Sequence, residues 1–128
     1  SGVVGMMTRK TMKRRYGSVP SWSHKETEEA VAYYGLDDWV MKARRGMQRI
    51  RIMVICCIYY DMESDKEYTT ENVCRLLIDK DAGGPASMNL SIQRIGYFLS
   101  LMSKKGVLVN TGSLAGRNKM KTYKKVIK

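Results

Sequence analysis

The sequence has little of the chemistry that metal sites, disulfide frameworks and membrane spans require. Its 128 residues contain one His and three Cys without a C-x-x-C spacing, which are too few soft ligands for a zinc site. The Cys count is odd and two Cys are adjacent, so we expect no disulfide framework and an intracellular, reducing location in cytoplasm, nucleoid or nucleus. The longest apolar run, 52–60, is nine residues, too short for a membrane span or a secretory signal.

Motifs of the common enzyme classes are also missing. The chain has no G-x-x-x-x-G-K-[ST], no paired His and no G-x-S-x-G, since the segment between Gly112 and Gly116 lacks a central Ser. His24 lies at a predicted helix N-terminus, where we expect it to be exposed. The sequence therefore predicts no enzymatic activity, no cofactor and no metal.

Acidic residues are missing from both ends of the chain. The 23 Lys and Arg outnumber the 12 Asp and Glu, which gives a formal net charge of +11. All acids lie within 26–81, whereas 1–25 holds six Lys or Arg and 82–128 holds nine. A net charge of this size favours nucleic acid as the partner. Its segregation to both ends favours two contact surfaces on a near-neutral scaffold over a charge that serves solubility alone.

The segment 1–22 is predicted to be a flexible basic arm, because it has cations but no apolar periodicity. Residues 1–5 do not begin with Met and are expected to be an expression remnant or an internal cut outside the fold. Arg14 and Arg15 are candidates for phosphate or minor-groove contact. An ordinary disordered terminus is the equal alternative.

Two helices are predicted directly after the arm. Ser23 followed by Glu26 fits a capping box, and Gly35 is a plausible terminator of that helix. Asp37 or Asp38 is expected to cap a second, short helix. These two helices are predicted to extend the main fold at its N-terminal side.

Two further helices are predicted in the middle of the chain. The apolar spacing after Gly46 or Met47 indicates a helix of about 16 residues, with a buried strand over 52–60 as the competing interpretation. Thr69 or Thr70 is expected to cap the next helix.

The segment 91–105 is predicted to be an amphipathic helix that Ser91 caps and Gly106 ends. Apolar residues at i, i+3, i+4 and i+7 predict a buried stripe of Ile95, Phe98, Leu99 and Met102. The opposite face is polar and cationic, with Gln93, Arg94, Tyr97, Ser100 and Lys104. Gly96 lowers helix stability by about 0.5–1 kcal/mol relative to Ala, so we expect it to permit close approach of another helix or of a DNA backbone.

A β-hairpin is predicted to follow over 107–126. A short strand at 107–109 leads into a turn-rich connector at 110–118, and 120–126 alternates well enough for the returning strand. The tip and second strand carry the cations Arg117, Lys119, Lys121, Lys124 and Lys125.

The order helix, helix, loop, helix and basic hairpin over 47–126 resembles the winged helix-turn-helix family of DNA-binding domains. The resemblance rests on the capped, polar start of 91–99, its continuation into the first hairpin strand, and the hairpin itself. It implies a mainly helical α+β fold, a winged helix-turn-helix with a C-terminal β-hairpin wing and extra N-terminal helices, as a single domain over 23–128. The loop at 79–90 is longer than the turn of a simple helix-turn-helix.

The predicted function is binding of double-stranded DNA, in transcription regulation or in the organisation of replication or partition DNA. Helix 91–105 would enter the major groove, where Arg94 suits guanine O6 and N7 and Gln93 suits adenine N6 and N7. The wing and the arm would contact phosphates, with Arg117 alternatively in a minor groove. The remaining predicted contacts are Ser91, Tyr97, Ser100, Lys104, Asn118, Lys119, Lys121, Lys124, Arg14 and Arg15.

Other partners are consistent with the same patterns. An RNA-binding module and a protein-interaction winged helix within a larger complex are the alternatives to DNA. An anionic membrane surface ranks last, because no basic amphipathic helix is predicted. A homodimer through the helices near Ser23 and Trp39 is weighed equally with packing of those helices inside one chain.

Overall fold

The computed structural model describes residues 21–80 and 91–127. Its contacts divide the chain into two compact units, Ser1–Cys56 and Cys57–Lys128. This boundary lies inside the segment 23–128, whose assignment to one domain stays a prediction. The arm cations Arg14 and Arg15 and most of the predicted loop 79–90 lie outside the described residues.

Three helices are described in the first unit: α1 (His24–Tyr33), α2 (Asp37–Met41) and α3 (Arg45–Cys56). The predicted capping box of α1 is confirmed. The Glu26 N–H donates to the Ser23 hydroxyl at 3.1 Å, and the Ser23 N–H donates to the Glu26 carboxylate at 2.8 Å. Gly35 follows the end of α1 with φ of 67°, a conformation that favours glycine at this position.

The start of α2 differs from the prediction. Its N-cap is Leu36, which has no side-chain capping bond, while Asp37 and Asp38 lie in the first turn. Carboxylates in a first turn stabilise a helix through its dipole. The acidic pair therefore suits this helix start by charge and not by capping.

The core of the first unit forms where α3 packs against α1 and α2. Its buried side chains include Val31, Val40 and most of the C-terminal half of α3. Trp22 is only 6% exposed, so this residue of the predicted arm is buried. The segment 52–60 is helical, since α3 continues to Cys56 and a π-helical turn, Cys57–Asp61, follows. The competing strand is therefore wrong.

The second unit contains the π-helical turn, α4 (Thr70–Asp79), α5 (Ile92–Lys104) and a hairpin of β1 (Leu108–Ala115) and β2 (Met120–Lys125). Thr69 caps α4, where its hydroxyl accepts from the Asn72 N–H at 3.2 Å. Ser91 caps α5 as predicted and accepts from the Arg94 N–H at 3.1 Å. The chain is thus a mainly helical α+β protein with a C-terminal antiparallel hairpin.

The apolar stripe of α5 supplies much of the core of the second unit. All four predicted residues are buried: Ile95, Phe98, Leu99 and Met102. They share this core with Leu77 of α4, Leu108 of β1 and Ile58 of the π-helical turn. Full burial of an aliphatic or aromatic side chain is worth about 1.5–3 kcal/mol, so this stripe is a main source of the unit's stability.

Strand β1 is longer than predicted. It pairs with β2 from Leu108 opposite Lys125 to Ala115 opposite Met120, with a shift of register between Asn110 and Leu114. The segment predicted as a connector is therefore mostly strand. Gly112, with φ of 81°, lies within the irregularity and adopts a backbone conformation that other residues rarely take.

A single bridging pair joins the hairpin to the segment before α4. Tyr68 and Tyr123 exchange backbone hydrogen bonds at 2.8 and 2.9 Å, and each side chain is only 4% exposed. The Tyr68 hydroxyl also accepts from the Glu63 N–H at 2.8 Å. Because an isolated two-stranded hairpin is marginally stable, this pair and the packing on α5 stabilise its position.

Asp61 ends the π-helical turn in a partly desolvated position. Its carboxylate lies 3.7 Å from the Lys80 ammonium, and its side chain is 16% exposed. Nearby, the Lys125 ammonium donates to the Tyr59 carbonyl at 3.1 Å. Burial raises the pKa of Asp61, against the opposing attraction of Lys80 and Lys125.

Gly96 lies where α5 approaches the start of α4. A Cβ at this position would be 3.4 Å from the Thr70 hydroxyl oxygen and 3.7 Å from its methyl carbon. These are ordinary van der Waals contacts. The group that approaches Gly96 is another helix, which is one of the two partners expected from the sequence. An alanine therefore fits without displacing α4.

Asp61→Asn should become more stable relative to the wild type as pH rises. The Asp61 carboxyl keeps its proton to higher pH in the folded chain than in the unfolded chain, where its pKa is near 3.8. Its ionisation therefore destabilises the fold as pH rises from 3.8 through the folded-state pKa. Urea unfolding of both proteins from about pH 3.5 to about pH 7 measures the difference. Asp65→Asn, on an exposed residue, is the control. A difference that shrinks as pH rises would show that attraction to Lys80 outweighs burial.

Gly96→Ala should raise the free energy of unfolding by about 0.5–1 kcal/mol, because alanine favours the helix and the space is sufficient. Gly112→Ala is the matched control and should lower it by about 1–3 kcal/mol, because of its positive φ. Denaturant unfolding monitored by circular dichroism measures both. A loss of stability in Gly96→Ala would mean that Thr70 cannot tolerate the contact.

Candidate nucleic-acid interface

The solvent-facing side of α5 carries the predicted helix contacts. Gln93, Tyr97, Ser100 and Lys104 recur at i, i+4, i+7 and i+11, opposite the buried stripe. Tyr97 is 63% exposed, Gln93 and Lys104 are exposed, and Ser100 is half-buried. The sequence therefore places a continuous polar surface along three turns of this helix.

Arg94 and Ser91 complete this surface at the N-terminal end of α5. Arg94 is exposed and lies on the flank of the polar stripe, next to the capping residue. The Ser91 oxygen accepts the Arg94 N–H, which leaves the hydroxyl proton of Ser91 available to a ligand. Helix N-termini attract phosphate oxygens, so Ser91 lies where such a group is favoured.

The hairpin presents cations at its tip and along β2. Arg117, Lys119 and Lys121 are exposed, and Lys124 is half-buried. Across residues 21–80 and 91–127, none of these four has a carboxylate within 4.0 Å. Lys125 differs from the sequence interpretation, because its ammonium donates to the Tyr59 carbonyl. It supports the fold of the second unit.

Asn118 has a partner within the protein. Its side-chain amide donates to the Glu71 carboxylate of α4 at 3.1 Å. Glu71 is adjacent to Thr70, which lies beside Gly96 of α5. The first turn of α4 thus contacts both the hairpin tip and α5, which ties the positions of the two predicted contact elements together.

A second carboxylate holds the hairpin at its middle. The Thr122 hydroxyl donates to Glu67 at 2.8 Å and the Thr111 hydroxyl donates to the same oxygen at 3.1 Å. The two threonine hydroxyls also contact each other. Thr122 is 2% exposed, whereas Glu67 is exposed. We call these three residues the hairpin clamp.

Sequence reasoning missed the hairpin clamp and Glu71. Facing threonines on paired strands are a favourable combination, so the β-branched Thr111 and Thr122 were an available signal. Thr111, however, lies in a stretch of Asn, Thr, Gly and Ser that is typical of turns. Nothing in the sequence indicates that Glu67 bonds to residues more than 40 positions away.

The remaining ionisable groups include the buried Cys74 thiol. Within the described part of the chain, no group of three or more His, Cys, Asp and Glu could hold a metal ion. Burial raises the pKa of the Cys74 thiol and the neighbouring Glu71 raises it further, so this cysteine is a poor nucleophile at neutral pH. No helix in the described ranges is long and apolar enough to cross a membrane.

The hairpin clamp should contribute measurably to stability. We expect Thr122→Val to lower the unfolding free energy by about 1–2 kcal/mol, because it removes a hydrogen bond to a carboxylate. A double-mutant cycle with Glu67→Ala should give a coupling energy of about 1 kcal/mol. Urea unfolding of the four proteins measures it. Additive losses would mean that Glu67 does not hold the hairpin.

Comparison of the chain with protein-family models, with curated proteins and with solved structures found no match.

Proposed function

We propose that the chain binds double-stranded DNA, with α5 in the major groove and the hairpin cations on phosphates. The observation that carries this proposal is the division of α5 into a fully buried apolar stripe and an exposed polar stripe with Arg94 on its flank. A major groove admits one helix, and a helix used in this way needs such a division. The basic hairpin that follows directly would contact the backbone beside the groove.

Individual roles follow from the donors and acceptors of these side chains. Arg94 would take the O6 and N7 of a guanine, and Gln93 the N6 and N7 of an adenine. Arg117, Lys119 and Lys121 would bind phosphates, which sets register and affinity without selecting sequence. Asn118 would contact a phosphate with its second amide N–H, because the first donates to Glu71.

The helix order and the hairpin support a winged helix-turn-helix interpretation of the second unit. In this interpretation α4 and α5 are the helix-turn-helix pair, and β1 and β2 are the wing. The biological role would be transcription regulation or the organisation of replication or partition DNA, in an intracellular location. A homodimer through the N-terminal helices stays a prediction that sedimentation at two concentrations tests.

A protein-interaction role is the second candidate, because large apolar side chains are exposed on the same elements. Ile92 and Tyr97 of α5 are 51% and 63% exposed, and Val109 and Leu114 of β1 are 50% and 61% exposed. Exposed apolar groups of this size suit a protein partner when they form a contiguous patch. An RNA-binding module on the same scaffold remains the further alternative.

Titration against duplex DNA, duplex RNA and single strands at two salt concentrations tests the proposal. The chain should prefer duplex DNA and lose affinity steeply as salt rises, because bound cations displace counterions from the phosphates. Absence of binding to any duplex at low salt would contradict the proposal. Preference for duplex RNA would favour the RNA-binding alternative.

Arg94→Ala and Lys121→Ala should have different effects on the sequence specificity of DNA binding. Arg94→Ala should weaken binding to a selected site by roughly 1–3 kcal/mol and relax its specificity, because the side chain is assigned to a base. Lys121→Ala should weaken binding to all sequences similarly. Lys66→Ala, on an exposed ion pair with Glu63, is the control. Affinities for selected and random duplexes measure these effects. Equal behaviour of the first two variants would contradict base reading by α5.

A further inference from the structure

The charges of the first unit are separated along the chain. Among its described residues, all five acids lie within 26–38, whereas five of the six cations lie within 42–51. The unit is therefore close to neutral in sum but has a cationic end, at the turn from α2 into α3. The charge pattern of the sequence predicts only a near-neutral scaffold for this part of the chain.

Two polar side chains of α3 bind the end of α2. Arg51 lies 4.2 Å from the centre of the Trp39 ring and also donates to the Trp39 carbonyl. Gln48 donates to the Ala43 carbonyl at 2.9 Å and to the Met41 carbonyl at 3.4 Å. These contacts use carbonyl groups of α2 and of the turn, and they join both to α3.

The other cations of this turn and of the start of α3 are exposed to solvent. We call them the α2–α3 cations: Lys42, Arg44, Arg45 and Arg49. All four are exposed, and within the described residues none has a carboxylate within 4.0 Å. They lie in the turn and in the first two turns of α3, beside the contacts of Gln48 and Arg51, and Arg45 and Arg49 share one face of the helix.

Two of these cations oppose the stability of the helix that carries them. Arg45 and Arg49 are four residues apart on one face of α3, a spacing at which like charges repel. Arg45 also lies in the first turn of α3, where the dipole disfavours cations, and no acid lies in that turn. Lys42 and Arg44, in contrast, follow the C-terminus of α2, where the dipole favours cations.

We infer that the α2–α3 cations bind nucleic-acid phosphates, in addition to the contacts of α5 and the hairpin. This inference rests on the proposed DNA-binding function and extends it to the first unit. Three of the four residues are arginines, whose planar guanidinium binds phosphate oxygens in pairs. A polyanion also relieves the repulsion between Arg45 and Arg49, because its charge lies between them and near the positive end of α3. The surface carries no base-reading side chain, so its contribution is independent of sequence.

The double variant Arg45→Gln/Arg49→Gln tests this inference in the full chain. Glutamine keeps the helix propensity and removes both charges. Lys25→Gln/Lys66→Gln is the matched control, because it removes two exposed cations outside the proposed surfaces. Affinity for a random DNA duplex of about 30 base pairs is measured from about 50 to about 200 mM salt, and urea unfolding is measured in parallel.

We expect the arginine variant to be at least as stable as the wild type and to bind the duplex more weakly. The slope of the logarithm of the binding constant against the logarithm of the salt concentration should become shallower by about 1.8. The ratio of wild-type to variant affinity should therefore fall about tenfold from the lowest to the highest salt concentration. The control should keep the wild-type slope. Wild-type binding with an unchanged slope in the arginine variant would overturn this inference alone. Failure of the wild type to bind any duplex would overturn the proposed function and this inference with it.

Discussion

The backbone pairing of Tyr68 with Tyr123 is the constraint on which the arrangement of the second unit depends. Its two hydrogen bonds give the hairpin a third, one-residue strand partner, and both tyrosine rings are buried. The hairpin clamp is the direct extension of this pairing, because Glu67 precedes Tyr68 and Thr122 precedes Tyr123. Leu108, the first residue of β1, is buried in the core. Apolar burial therefore holds β1, whereas the backbone hydrogen bonds of Tyr123 hold β2. The exposed cation of β2, Lys121, is therefore carried on a strand that these contacts hold at its base.

The helices could be predicted from the sequence because their signals are local. Ser23, Thr69 and Ser91 each bond to the backbone N–H three residues later, a relation that can be read from spacing alone. The four-residue apolar stripe of α5 needed only the helical period. In α2 the same logic failed, since an aspartate in a first turn and an aspartate at a cap look alike in sequence.

The strands and their supports depend on partners far away in the chain, which no local pattern contains. Tyr68 reads as the residue before a helix cap, and only the position of β2 makes it a bridge. Asn110 to Ser113 has the composition of a turn, yet it continues β1 because β2 provides the hydrogen bonds and Gly112 tolerates the bulge. For the candidate site, the exposed face of α5 was predictable, whereas the internal roles of Lys125 and Glu71 were not.

The way in which the acids are used explains how a chain with mixed charge retains strongly cationic surfaces. In the second unit Glu67 and Glu71 bind hydroxyl and amide donors, and Asp61 and Glu63 lie beside lysines outside the proposed contact surface. Because these carboxylates accept hydrogen bonds from neutral donors, they hold the hairpin without forming ion pairs with its cations. Arg117, Lys119 and Lys121 can therefore bind phosphates. In the first unit the acids are separated in sequence from the α2–α3 cations. A positive potential at such surfaces accelerates encounter with a polyanion and makes its binding sensitive to salt. The formal charge of +11 is thus a poor guide to the local field, since Glu67 and Glu71 bond to the hairpin itself, whereas the acids of the first unit are separated in sequence from its cations.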